Sequence, residues 1–119
     1  MNLDSFKAGR ELDALIGEKL FGVSYEFVYD DYMIPDPDDP IAYDVCPHYS
    51  TDITAAWQVL EKLLTMTENQ DIHLEHLGSG EEGYWGVSTC YEMGEWKDWA
   101  RAETAPLAIC LAALQAVAR

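Results

Sequence analysis

The spacing of hydrophobic residues changes period repeatedly along the chain, and each change marks an expected element. Leu12, Leu15, Ile16 and Leu20 recur at helical spacing, which predicts a helix from about Ser5 to Leu20. Arg10, Glu11, Asp13 and Glu18 fall mostly off that stripe, and Gly22 supplies a stop. Ser24 to Tyr29 then alternates as a short strand does, with Tyr25, Phe27 and Tyr29 on one side. Alternation fails at PDPDDP, because each proline lacks a donor and restricts the residue before it. Tyr32 to Pro47 therefore reads as a long ordered loop or arm.

Helical spacing returns in YSTDITAAWQVLEKLL. Ser50 or Thr51 can accept a hydrogen bond from an orphan backbone N–H, and Asp52 suits the positive helix end. Ile53, Trp57, Leu60 and Leu64 form the expected inward stripe, with Ala56 and Leu63 beside it. The period then drops to two. DIHLEHL places Ile72 and Leu74 opposite His73 and Glu75, and GSGEEG supplies a hairpin turn. YWGVSTCYE follows, with Trp85, Val87, Thr89 and Tyr91 sharing a face. EWKDWARAE is a third strand of irregular pattern, after a connection from Glu92 to Glu95.

The last segment, AETAPLAICLAALQAVAR, starts at a Thr104 cap with Pro106 in the first turn, where its missing N–H costs little. Leu107, Cys110, Leu111, Leu114 and Val117 make its main stripe, and Ile109 with the alanines carries apolar character around the rest. Such a helix needs cover on more than one side, from a sheet and then from another helix or a second copy of the chain. The expected fold is α+β in α-α-β-β-β-α order. A three-stranded antiparallel sheet packs between helical layers (an αβα sandwich), in one domain over 1–119 with an acidic Pro/Asp-rich loop at about 30–48.

Composition narrows the function. With 49% hydrophobic and 12% aromatic residues, 119 residues suffice for one packed core. The charged N-terminus lacks the apolar core of a signal peptide, and no stretch reaches the roughly 18 apolar residues of a membrane span. Three scattered cysteines, Cys46, Cys90 and Cys110, without a CxxC pair, read as reduced, so a cytoplasmic location is expected. Twenty-two acidic against seven basic residues give a net charge of -15. That opposes direct nucleic-acid binding and anionic membrane surfaces, which need a basic footprint. No Lys or Arg occurs between Lys19 and Lys62. Asp30, Asp31, Asp36, Asp38, Asp39 and Asp44 thus make the arm an expected contact for a basic protein surface.

Catalytic signatures are missing. Cys46, His48, His73 and His76 do not converge as four metal ligands, and strand residues His73 and His76 point to opposite faces. A calcium loop starting at Asp36 would need glycine and glutamate where Ile41 and Pro47 stand. Ser50, Thr51 and Cys90 lack a nucleophile motif, and Asp52 and Glu103 read as helix-start residues. No catalytic residue, metal or cofactor is expected. A small anion remains conceivable at two helix starts, with Tyr49, Ser50, Thr51, Trp96, Trp99, Arg101 and Thr104 as candidate ligand-binding residues, Lys97 and Arg101 supplying local positive charge.

Three stretches, AGRELDALIGEKLFG, HYSTDITAAWQVLEKL and AETAPLAICLAALQAV, together resemble the phage ABA sandwich domain family, small phage and prophage proteins of undefined function. The resemblance runs from about Ala8 to Val117. Departures are Leu111, where members usually carry a basic residue, and the acidic segment between the first helix and YSTD. The resemblance implies the sheet-and-helix order above and a viral origin, and it implies no catalytic residues. The expected function is a non-enzymatic phage or prophage accessory protein that binds a host protein, such as a counter-defence inhibitor. Sequestration of a small ligand such as a nucleotide signal is the alternative, and structural assembly a third. A homodimer is also expected, from the nearly all-apolar last helix.

Overall fold

A computed structural model describes residues 6–28, 30–36, 38–39, 41–66, 71–77, 83–90 and 96–117, with the side chains at 66, 71, 77, 89, 90 and 96–99 outside that description. The expected turn GSGEEG as far as Glu82, the connection from Glu92 to Glu95, Ser5, Tyr29 and Tyr91 also lie outside the described residues.

Helix α1 (Arg10–Phe21) buries Leu12, Ile16 and Leu20. Asp13, expected to face solvent, is buried with them. Gly22 closes the helix at φ 70, a left-handed conformation that glycine adopts without steric cost, and Val23 N–H donates to the Gly17 carbonyl at 3.0 Å. The chain then doubles back so tightly that a Cβ on Gly17 would stand 2.6 Å from Tyr25 Cε2.

The supposed loop contains two strands. β1 (Glu26–Val28), β2 (Asp31–Pro35) and β3 (Tyr43–Val45) form an antiparallel sheet in that spatial order. Asp30 makes the tight turn between β1 and β2 at φ 62, as aspartate tolerates. Pro35 sits in the central strand without breaking it. Asp36 N–H points to β3, donating to the Ala42 carbonyl, so by alternation the position of the missing Pro35 donor faces the β1 side. There β1 has already ended, its last partner being Met33. The expected element order is therefore corrected to α-β-β-β-α-β-β-β-α.

Helix α2 (Ile53–Met66) lies where expected but is turned about its axis. Ala55, Ala56, Val59, Leu60 and Leu63 face the core. Ile53, Trp57 and Leu64, three members of the expected inward stripe, are about half exposed. The cap differs too: Asp52 Oδ1 accepts from Thr54 N–H at 3.0 Å, while Ser50 turns inward.

β4 (Asp71–Leu77), β5 (Tyr84–Cys90) and β6 (Trp96–Ala102) form the expected meander. The irregular third strand has a cause. Val87 pairs with Ala100 but Ser88 pairs with Asp98, so residue 99 is an extra, bulged position that reverses the alternation. Ile72, Leu74, Trp85, Val87, Ala100 and Ala102 turn toward the core, and His73 and Arg101 are exposed on the other side.

Helix α3 (Ala105–Val117) starts as expected, with Leu107 N–H donating to Thr104 Oγ1. Its residues from Ala108 to Leu114 are buried all round. The cover comes from within the chain: α3 packs on α2, on β6 and β5, and on α1. Among the described residues α3, rather than the sheet, thus occupies the middle, with the second sheet on one side and α1 and α2 on the others. This replaces the expected sheet between helical layers. It also removes the reason for invoking a second copy to cover α3.

Candidate functional site

Three features could carry function: a buried polar node at the root of the first sheet, the acidic arm itself, and a groove at the start of α3.

The node joins segments far apart in sequence. Asp13 and Ser50 are both fully buried. Asp13 Oδ1 accepts from Ser50 N–H at 2.7 Å and from the Ser50 hydroxyl at 2.6 Å, while Asp13 Oδ2 accepts from Arg10 Nη1 at 2.8 Å. Ser50 Oγ in turn accepts from Gly9 N–H at 2.9 Å. Arg10 reaches onward to Asp31 Oδ1 at 2.7 Å through Nε, and to the Cys46 carbonyl at 2.6 Å through Nη2. One guanidinium therefore fastens α1 to β2 and to the end of β3. Sequence reasoning missed Arg10 and Asp13, because helical periodicity assigned both to the solvent side. The signal available was their spacing of three, which lets opposite charges meet on a helix.

The electrostatics follow from this geometry. Desolvation pulls the Arg10 guanidinium down, but its hydrogen bonds to Asp31 and Asp13 outweigh that and raise it overall. The Asp31 carboxyl is held below the usual carboxylate range, first by the Arg10 hydrogen bond and then by Tyr32 N–H. A lowered carboxyl contributes stability that is present above its unfolded value of about 3.9 and lost as pH falls through the folded value. Below about pH 4 the amides of β2 and of Cys46 should therefore lose hydrogen-exchange protection before those of α3. Asp31→Asn should lack this early step. Simultaneous loss in arm and helices, identical in both proteins, would contradict it.

Burial pushes the Cys46 thiol up to about 11, with Arg10 offsetting part of the rise, and burial raises Cys110 further. Both are protonated, enclosed thiols without nucleophilic character at neutral pH. Among the described residues no group of three His, Cys, Asp or Glu could hold a metal ion.

The arm departs from its expected composition. Asp31 is spent in the node rather than offered to a partner. Asp36 Oδ1 accepts from Asp38 N–H at 2.9 Å, and Asp39 Oδ1 accepts from Ile41 N–H at 3.1 Å. These bonds bend the chain between β2 and β3 and leave Asp36 partly buried. Asp30, Asp38, Asp39 and Asp44 are exposed. Apolar residues stand out among them: Ile41 is 87% and Phe27 65% exposed, and Tyr43 and Val45 are nearly half exposed. The molecule measures 51 × 35 × 25 Å, and its radius of gyration of 15.4 Å exceeds the roughly 13–14 Å of a compact chain this long.

The expected ligand residues separate. Tyr49 is buried and stacked on Phe21, with centroids 5.4 Å apart, so it cannot stack on a ligand. Ser50 is inside the node. Thr51 is exposed on the turn before α2. The side chains of Trp96, Lys97 and Trp99 lie outside the described residues. Arg101 and Thr104 do come together, in a groove of about 470 Å³ between residues 6–8, the end of β6 and the start of α3.

No curated protein and no solved structure matches the chain. The model of the phage ABA sandwich domain matches residues 14–114. That span takes in α2, both sheets and the arm, and α1 and α3 apart from their outermost turns. The chain belongs to the phage ABA sandwich domain family.

Proposed function

We propose that this phage-family protein is a non-enzymatic accessory protein that binds a host protein of basic surface through its β1–β3 arm, in the manner of a counter-defence inhibitor. The observation that supports this reading is the arm's mixed surface, with Phe27, Ile41, Tyr43 and Val45 exposed among Asp38, Asp39 and Asp44. Carboxylates there would steer a cationic partner, and the apolar side chains would supply the desolvated contact that dominates affinity. The acids of the β2–β3 turn already hold its backbone in place, so little ordering cost remains on binding.

Immobilised protein should retain a bacterial host protein at low ionic strength and release it at roughly 0.5 M salt, where screening is strong. The variant Asp38→Asn/Asp39→Asn/Asp44→Asn should retain little of it. Its folding free energy should stay within about 0.5 kcal/mol, because asparagine keeps the oxygen that Asp39 uses in the turn. Phe27→Ser/Ile41→Ser should abolish capture at any salt. Equal retention by all three proteins would defeat the proposal.

A further inference from the structure

We infer that α2 carries a homodimer interface, on which a second copy of this chain packs its own α2 antiparallel across a twofold axis. Ile53, Trp57, Leu60 and Leu64 follow one another at spacings of four, three and four, so they form one stripe along the helix. Ile53, Trp57 and Leu64 are about half exposed, whereas Leu60 is almost wholly buried. The stripe therefore stands out at Ile53, Trp57 and Leu64 and is low at Leu60.

The spacing names the occupant. Four, three, four reads the same in both directions, so a twofold axis across the helix midpoint brings the stripe onto itself in register. Ile53 then faces Leu64 of the second copy, and Trp57 of each copy meets the low position at Leu60 of the other, a knob set into a hole. One patch thus serves both subunits, as an isologous contact requires.

Charge points the same way. The chain carries -15, and two copies repel wherever their acids meet. Within α2 the only charged residues are Glu61 and Lys62, which cancel. The acidic arm ends at β3, a few residues before the start of α2. An antiparallel pair sets the two helix starts about 20 Å apart, from 14 residues at 1.5 Å each. That exceeds the screening length of about 8 Å at physiological ionic strength, so the roots of the two arms stay outside each other's field. A parallel pair would bring them together. One helix pair of this length covers less than the roughly 1,200–2,000 Å² of a stable complex, so the dimer is weak and forms as concentration rises.

Sedimentation equilibrium of the full chain from about 10 µM to 1 mM tests this, with half-association expected on the order of 0.1 mM. Salt at about 0.5 M should tighten the dimer at least about threefold by screening repulsion. Capture of a basic partner by the arm should weaken under the same salt, so the two interactions fail separately. Ile53→Gln/Leu64→Gln, at half-exposed positions, should stay folded and self-associate at least about tenfold more weakly. In a mixture of isotope-labelled and unlabelled chains, intermolecular NOEs should join Ile53 methyls to Leu64 methyls. The inference is overturned by a monomer at 1 mM in either salt, by equal association of the double variant, or by NOEs joining Ile53 to Ile53 or lying elsewhere. It is equally overturned if the stripe proves to hold a host protein, bound by the wild type and not by the double variant, while the chain itself stays monomeric.

Discussion

Replacing Asp13 by alanine should cost about 3–5 kcal/mol of folding free energy, the usual loss when one partner of a buried charged pair is removed. The side chain is fully buried and satisfies three donors: the Ser50 N–H, the Ser50 hydroxyl and Arg10 Nη1. Without the carboxylate, the Ser50 N–H is left without an acceptor at a fully buried position, and the guanidinium loses half of its compensating charge. A domain with a typical stability of about 5–15 kcal/mol would lose a large part of it. Urea unfolding gives the measure. Ser50→Ala should cost less, about 1–3 kcal/mol, because the backbone N–H still reaches Asp13. In the Asp13→Ala background, Ser50→Ala should cost less again, since its main acceptor is already gone. A loss below about 1 kcal/mol for Asp13→Ala would mean that water reaches the carboxylate and that the node is not closed.

Leu63→Ala and Leu64→Ala should differ sharply although the residues are neighbours on α2. Leu63 is fully buried, and shortening it should remove about 2–5 kcal/mol through lost transfer energy and the cavity left behind. Leu64 is 49% exposed, and its truncation should cost under about 1 kcal/mol. Comparison of the two denaturation midpoints reads the rotation of the helix directly. Similar losses would mean that α2 faces the core along the other stripe.

That rotation shows where sequence reasoning stops. Two overlapping apolar stripes run along α2, one through Ile53, Trp57 and Leu64, the other through Ala56, Val59 and Leu63. Periodicity alone favours the bulkier set. Packing chose the smaller one, in a core where α2 lies against the alanine-rich α3. α3 itself was legible, since Thr104 and Pro106 mark its start and its apolar surround demands burial. The β4–β5–β6 meander was legible through its alternation, apart from the bulge, which no local pattern announces. Of the first sheet only β1 was legible, inside the expected strand from Ser24 to Tyr29; β2 and β3 were hidden because they span five and three residues and β2 is bounded by Asp31 and Pro35. Those residues carry a loop signature even where they form the hairpin's tight end. Arg10 and Asp13 were unreadable for another reason. Their burial follows from mutual neutralisation across three segments, a property of tertiary contact rather than of spacing.

The candidate sites divided along the same line. Arg101 and Thr104 share a groove because the β6–α3 junction is short, which the sequence already displayed. Tyr49 and Ser50 were misjudged because a cap signature and an aromatic neighbour describe a helix start equally well whether it faces water or the core.

The path of the chain between Gly22 and Ser50 has an evolutionary consequence. It leaves the helical body beside α1 and returns to α1, where Arg10 grips Asp31 and the Cys46 carbonyl, and Asp13 grips Ser50. Departure and return are anchored at one place, so what lies between can lengthen, shorten or exchange its side chains without moving the helices. Variation confined to the arm would then leave the helical body and its anchor as they are.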